Sequence, residues 1–147
     1  MRPHRYLASG CAAAGLALGS LSPAAGATAV TSAPVIHESF TLLRCPSKPR
    51  TTLQIEGCAE HRVVALDRTI DSLNARVFAK LSRSGRAAFI RANTAWVSYR
   101  NGACAAQASI YSGGSIQPVA DANCLVSIDG SHVSELKTML TALEPAG

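Results

Sequence analysis

"TTLQIEGCAEHRVVALDRTIDSLNARVFAKL", residues 51–81, decides the fold. Its apolar positions Ala59, Val63, Leu66, Ile70, Leu73, Val77 and Leu81 follow one another at intervals of three and four, which keeps one stripe on one side of a helix. Arg62, Asp67, Arg68, Asp71, Arg76 and Lys80 fall largely on the other faces. Thr51 stands three residues before Gln54 and directly after a proline-containing turn, the pattern of a capping box, so the helix starts there. Over about 31 residues it would extend on the order of 45 Å.

Downstream, Ser82-Arg83-Ser84-Gly85 supplies a breaker and a fresh N-cap. A second helix is expected from Arg86 past Cys104, with Phe89 and Trp96 inward and Arg91 and Ser98 outward. So short a connection folds it back antiparallel to the first. Tyr111-Ser112-Gly113-Gly114-Ser115 then makes a glycine turn, and Pro118 suits the first turn of a third helix through Leu125. Asp129-Gly130-Ser131 is expected to interrupt it before a last helical stretch carrying Val133, Leu136, Leu140 and Leu143. No segment alternates apolar and polar residues for long, so strands are not expected. The fold class is all-α: a small helical bundle built on a long antiparallel helical hairpin, with one or two C-terminal helices and two disulfides.

Upstream of Thr51 the chain changes character. Residues 28–50 mix Thr, Ser and isolated apolar residues with Pro34, Pro46 and Pro49, and read as a mobile leader tied down near Cys45. Residues 1–27 have the layout of a secretory signal: Arg2 and Arg5, a charge-free run from Tyr6 to Leu21, and the small-x-small triplet Ala25-Gly26-Ala27. Ala8-Ser9-Gly10-Cys11 resembles an acylation box that would anchor the protein by lipid at Cys11. Only Tyr6 and Leu7 separate Arg5 from that box, short of the usual 7–15 or so apolar residues, so a cleaved signal is the reading adopted. No later segment approaches the ~18 apolar residues of a membrane span. The expected product is a secreted, periplasmic or cell-envelope protein whose residues 51–147 form one helical domain.

Removing residues 1–27 leaves 120 residues with 12 Lys and Arg, Arg2 and Arg5 having gone, against 9 Asp and Glu, a formal charge of +3. That charge is too mild and too scattered for a nucleic-acid footprint. Cys45, Cys58, Cys104 and Cys124 are an even set in a chain addressed to an oxidising compartment, which points to two disulfides. No closely spaced pair such as C-x-x-C is present for zinc, and no other cofactor is implied. In the hairpin, Cys58 and Cys104 stand at heights above the turn that differ by about 9 Å at ~1.5 Å per residue, more than the ~7 Å a bridge spans. That disfavours one of the three possible connectivities, and of the two that remain the preferred one is Cys45 with Cys58, pinning the leader to the first helix, and Cys104 with Cys124, closing the loop that contains Gly113-Gly114-Ser115.

Catalysis finds little support. A nucleophile made of Cys104 and His132 would need a free thiol, and Ser115, His132 and Asp121 lack a nucleophile-elbow motif. The 9 acids show no evident pairing for glycoside chemistry. His37, His61 and His132 read as surface or capping residues.

A family pattern runs through the chain. Cys58-Ala59-Glu60, Asp67, Leu73-Asn74, Asn93-x-x-Trp96-x-x-Tyr99-Arg100-x-x-x-Cys104, Tyr111-x-Gly113-Gly114-Ser115-Ile116-x-Pro118, Cys124-Leu125 and Glu135-Leu136 resemble the LprI-type lysozyme-inhibitor N-terminal domain over about residues 45–143. The resemblance implies a small exported or lipid-anchored helical protein that binds a lysozyme-like protein. The chain departs from the pattern at Asn93, where glutamine is usual, and at Asn101 and Ala103, where an acidic pair is usual. It departs again at Asp129-Gly130 and His132, where a helix with arginines usually continues. Loss of the acidic pair removes an electrostatic attraction toward a basic partner.

Within "WVSYRNGAC", residues 96–104, Trp96 is expected as the structural core anchor between helices and Cys104 as a half-cystine. Tyr99 and Arg100 are candidate partner contacts, since both residue types are enriched at interface hot spots. Gly113, Gly114 and Ser115 form the stronger candidate: glycines permit close backbone approach, a disulfide would brace the loop, and a serine hydroxyl reaches into a polar cleft. The alternative is a cell-envelope structural or interaction protein held to anionic wall polymers by its positive charge.

Overall fold

A computed structural model of the chain describes residues 32–144 apart from Ser39 and Thr41. The expected signal segment 1–27, with Cys11 inside it, lies outside the described residues. The architecture is all-α: α1 (Thr52–Lys80), α2 (Arg83–Ala108), a short 3-10 turn (Ser109–Tyr111) and α3 (Gln117–Ala142), with no strand among the described residues. No described helix is long and apolar enough to cross a membrane.

Local chemistry sets the ends of these helices. Thr51 caps α1 by accepting from the Gln54 backbone N–H at 3.3 Å, and Gln54 Oε1 reaches back to accept from the Arg50 N–H at 2.8 Å. Ser82 Oγ accepts from Gly85 N at 3.2 Å, so α2 begins at Arg83, three residues before the sequence pattern suggests. Arg86 then closes the hairpin: its Nε and Nη2 donate to the carbonyls of Phe78 and Ala79 at 3.0 and 3.3 Å, satisfying the orphan end of α1, while its guanidinium sits 4.9 Å from the Phe78 ring centre.

Helix α3 corrects one expectation. It runs unbroken through Asp129-Gly130-Ser131 instead of stopping there. The reason lies in packing: Val119, Ala122, Leu125, Asp129, Val133, Leu136 and Leu140 are all buried at intervals of three and four. The stripe therefore passes through Asp129, and one helical glycine costs only about 1 kcal/mol against it.

Helix α3 packs closely on both α1 and α2, whereas the backbones of α1 and α2 scarcely approach each other and meet through long side chains. The leader fills the space between them. Its Ile36 N–H donates to Asp71 Oδ1 at 2.9 Å, Asn74 Nδ2 donates to Pro34 O at 3.4 Å, and Leu43 N donates to Glu60 Oε2 at 3.2 Å. Its Pro34, Val35 and Ile36 face Asn93, Thr94 and Val97 of α2 across a cavity of about 220 Å³. Attachment thus begins at Pro34 rather than at Cys45, because α1 offers polar side chains that satisfy the extended backbone. Gly57 makes the closest approach possible, since a Cβ there would lie 2.7 Å from Leu43 O.

Both expected disulfides are present. Cys45–Cys58 pins the leader to α1, and Cys104–Cys124 joins α2 to α3 below the connecting loop, with Cα separations of 4.6 and 5.4 Å. Each closure contributes roughly 3 kcal/mol in the chain-entropy account.

Candidate functional site

The core is two apolar clusters with a charged layer between them. Ile70, Leu73, Val77, Phe78, Phe89, Val133, Leu136 and Leu140 form one cluster; Val63, Cys104, Cys124 and Leu125 form the other. On each helix one charged residue separates the two: Asp67 between Val63 and Ile70, Arg100 between Phe89 and Cys104, Asp129 between Leu125 and Val133.

Arg100 is the hub of this layer. Its side chain is fully enclosed, its Nη1 donates to Asp67 Oδ1 at 3.1 Å and to Asp129 Oδ1 at 3.2 Å, and its Nη2 pairs with Glu38 of the leader. Nε donates to Asn101 Oδ1 at 3.1 Å. The expectation of Arg100 as a surface contact is therefore corrected, since three carboxylates from three separate segments draw the guanidinium inward. A buried ion cluster is stabilising only while every charge keeps its partner.

The carboxyls respond to this confinement. Burial first, then the charges of Asp129 and Asp71, push Asp67 up to about 7. Burial also raises Asp129, against the pull of Arg100 and His132. Both shifts disfavour the ionised form in the folded state.

Trp96 is half-buried and packs against the first cluster, as expected of an anchor. It stacks on His132 with ring centres 3.9 Å apart and planes inclined by 16°, and the Arg100 guanidinium lies 5.5 Å from its ring centre. His132 is consequently buried rather than a surface residue, while His37 and His61 are exposed. His61 Nε2 donates to Leu43 O at 3.1 Å, another tie on the leader.

Gly113, Gly114 and Ser115 are exposed at the end of the bundle opposite the α1–α2 hairpin turn. Gly113 has φ +79, a conformation that favours glycine, and Gly114 N–H donates to Tyr111 O at 2.9 Å to close the turn. Exposed Ile110, Tyr111 and Ile116 flank it. No residue from Asn101 to Ala120 carries a formal charge. Tyr99 is 64% exposed but sits nine residues before the end of α2, roughly 14 Å along the axis from the loop. It borders a separate groove of about 310 Å³ with Gln107, Asn123 and Ser127. The structure thus holds the glycine-serine loop together as one feature and leaves Tyr99 on the flank. Among the described residues no group of three His, Cys, Asp or Glu side chains is placed to hold a metal ion.

The residues missed in the sequence are Glu38, Asp67 and Asp129. Asp67 and Asp129 carried a signal, because both fall on the buried stripe of their helix; Glu38, in an extended segment, carried none.

A family model described as "Lysozyme inhibitor LprI" matches residues 45–136, well over half of the chain. The curated proteins and the solved structures contain no match to it.

Proposed function

The chain belongs to the LprI lysozyme-inhibitor family, and on that premise we propose that it is an exported, non-catalytic protein that inhibits a lysozyme-like muramidase by presenting the loop Gly113-Gly114-Ser115. The observation that carries the reading is the loop itself. It projects from the end of the bundle, is held at its base by Cys104–Cys124, and turns through a positive-φ glycine. A pre-shaped loop loses little conformational freedom on binding. Its freedom from charge across residues 101–120 also suits a basic partner, toward which a +3 molecule would otherwise be repelled. Tyr99 adds an aromatic contact on the flank, and Arg100 acts from inside by fixing α2.

Export fits the two disulfides, which persist in oxidising compartments. The test is an inhibition assay against animal, goose and invertebrate-type lysozymes, with the wild type beside a variant carrying Gly113→Val and Ser115→Arg. Inhibition by the wild type that the double substitution removes supports the reading. No inhibition of any of the three at micromolar protein overturns it.

One observation favours a second reading, in which the protein associates with anionic wall polymers. From Ser72 to Ala120 the chain has no acidic residue, and Arg76, Lys80, Arg83 and Arg91, all exposed and without an ion pair among the described residues, lie toward the hairpin end. Retention on purified wall material that disappears by about 0.3 M salt supports this reading, because surface attraction is screened within ~10 Å already at ~0.1 M. Retention that is unchanged by salt sinks it.

A further inference from the structure

His132 holds an atom the fold does not use. Its Nδ1 stands 2.9 Å from Glu135 Oε2. A carboxylate oxygen accepts, so Nδ1 carries the hydrogen of this contact. That Nε2 is buried and without a hydrogen-bond partner. His132 lines a groove of about 260 Å³ between α2 and α3, walled mainly by Phe89, Ala92, Trp96, Leu136 and Met139, with Asn93 and Glu135 also lining it.

We infer that this groove between α2 and α3 binds a small phenol, its ring against Trp96 and its hydroxyl hydrogen-bonded to His132 Nε2. Each part of the site selects one part of the ligand. The mostly apolar walls favour an uncharged body, since the Glu135 carboxylate in the lining is already engaged by His132 and the rest of the surface offers a charge little hydration. An aromatic ring gains an offset contact with Trp96 that an aliphatic body of equal area does not. The unmet Nε2 calls for one hydrogen-bonding partner, and a buried polar atom left unpaired costs free energy that a ring hydroxyl recovers. An engineered apolar cavity of about 150 Å³ accepts benzene, so the larger groove here has room for a substituted single ring. Met139, unbranched and exposed at the rim, is the wall that yields as the hydroxyl reaches inward.

The groove is separate from the candidate inhibitory loop. His132 lies fifteen residues into α3 from Gln117, roughly 22 Å along the axis from the loop end. Occupancy of one does not require the other, and the groove does not depend on the muramidase reading.

Trp96 is the only tryptophan in the chain, so its emission reports the groove directly. The experiment titrates p-cresol and, separately, toluene into the intact protein while following Trp96 fluorescence. The two probes share a shape and differ by the hydroxyl. The expected result is a saturable change with p-cresol at an affinity roughly five-fold or more above that of toluene, the worth of one net hydrogen bond. His132→Phe keeps a ring on Trp96 and is expected to bring that ratio to about one. Ala92→Phe, at an exposed helical position on the wall, is expected to abolish saturation by both probes while far-UV circular dichroism stays unchanged. No saturable binding to the wild type, equal affinity for the two probes, a ratio that survives His132→Phe, or binding that survives Ala92→Phe would each overturn the assignment.

Discussion

Nη1 of Arg100 stands 3.1 Å from Oδ1 of Asp67, a residue 33 positions earlier in the chain, and 3.2 Å from Oδ1 of Asp129. Through that one nitrogen α2 is joined to both α1 and α3 in the plane that divides the apolar core.

Removing the guanidinium alone leaves buried acids without a counter-charge. Arg100→Met is expected to lower the unfolding free energy by about 3–5 kcal/mol. Replacing the set together, as Arg100→Met with Asp67→Leu and Asp129→Leu, is expected to recover most of the loss, because apolar side chains need no counter-charge. Urea denaturation of both variants checks the pair; a triple variant no more stable than the single one would show that the layer has a further role.

The raised Asp67 carboxyl makes stability depend on pH in a definite sense. Its folded value, about 7, exceeds its ordinary value of 3.8, so the folded state prefers the protonated form. The contribution is complete below the unfolded value and is lost as pH rises through about 7. Asp129 is shifted the same way and adds to the trend. The thermal midpoint should fall between about pH 5 and pH 8, and Asp67→Asn should flatten that slope. Calorimetry across this range decides it; equal slopes in wild type and variant would contradict the assignment.

Gly57→Ala puts a methyl 2.7 Å from the Leu43 carbonyl, against backbone that has little room to yield. A cost of about 1–3 kcal/mol is expected, with the leader displaced from α1. Trypsin should then cut after Arg44 faster than in the wild type, where Glu60 and His61 hold Leu43.

Opening the second disulfide tests the brace beneath the loop. Cys104→Ala with Cys124→Ala removes a closure of 20 residues and should cost about 3 kcal/mol. Inhibition measured well below the new thermal midpoint should weaken as well, since a looser loop must be ordered on binding.

At Gly113 the surroundings are empty, with nothing within 4 Å of an added Cβ, so any effect of substitution comes from φ +79 alone. Gly113→Ala should cost about 1–2 kcal/mol of strain in the turn. In lysozyme assays it should weaken inhibition several-fold while the midpoint moves by only a few degrees.

Much of this arrangement was legible in the sequence because helices repeat. The capping box at Thr51, the serine before α2, the proline in the first turn of α3 and both disulfides follow from spacing and local chemistry. Periodicity was misread where polar residues stood on an apolar stripe. Val63, Asp67, Ile70, Asn74 and Val77 are all buried at intervals of four and three, yet Asp67 was assigned outward by its charge. Asp129-Gly130 reads as a turn because Asp-Gly pairs favour one, yet the buried stripe carries the helix through it. Glu38 could not have been found, because the leader repeats nothing and its position depends on a groove that exists only after α1 and α2 have packed on α3. In the loop, glycines and serine mark a turn, but a turn alone does not name what touches it.

The junction at Arg100 also fixes the order of events as the polypeptide forms its fold. Glu38 and Asp67 precede the cation, and Asp129 follows it, so every fragment ending before residue 100 contains acids whose counter-charge has yet to arrive. A fragment ending before residue 129 lacks the helix on which the other two rest. A polypeptide that stops short of residue 129 therefore cannot complete the charged layer around Arg100.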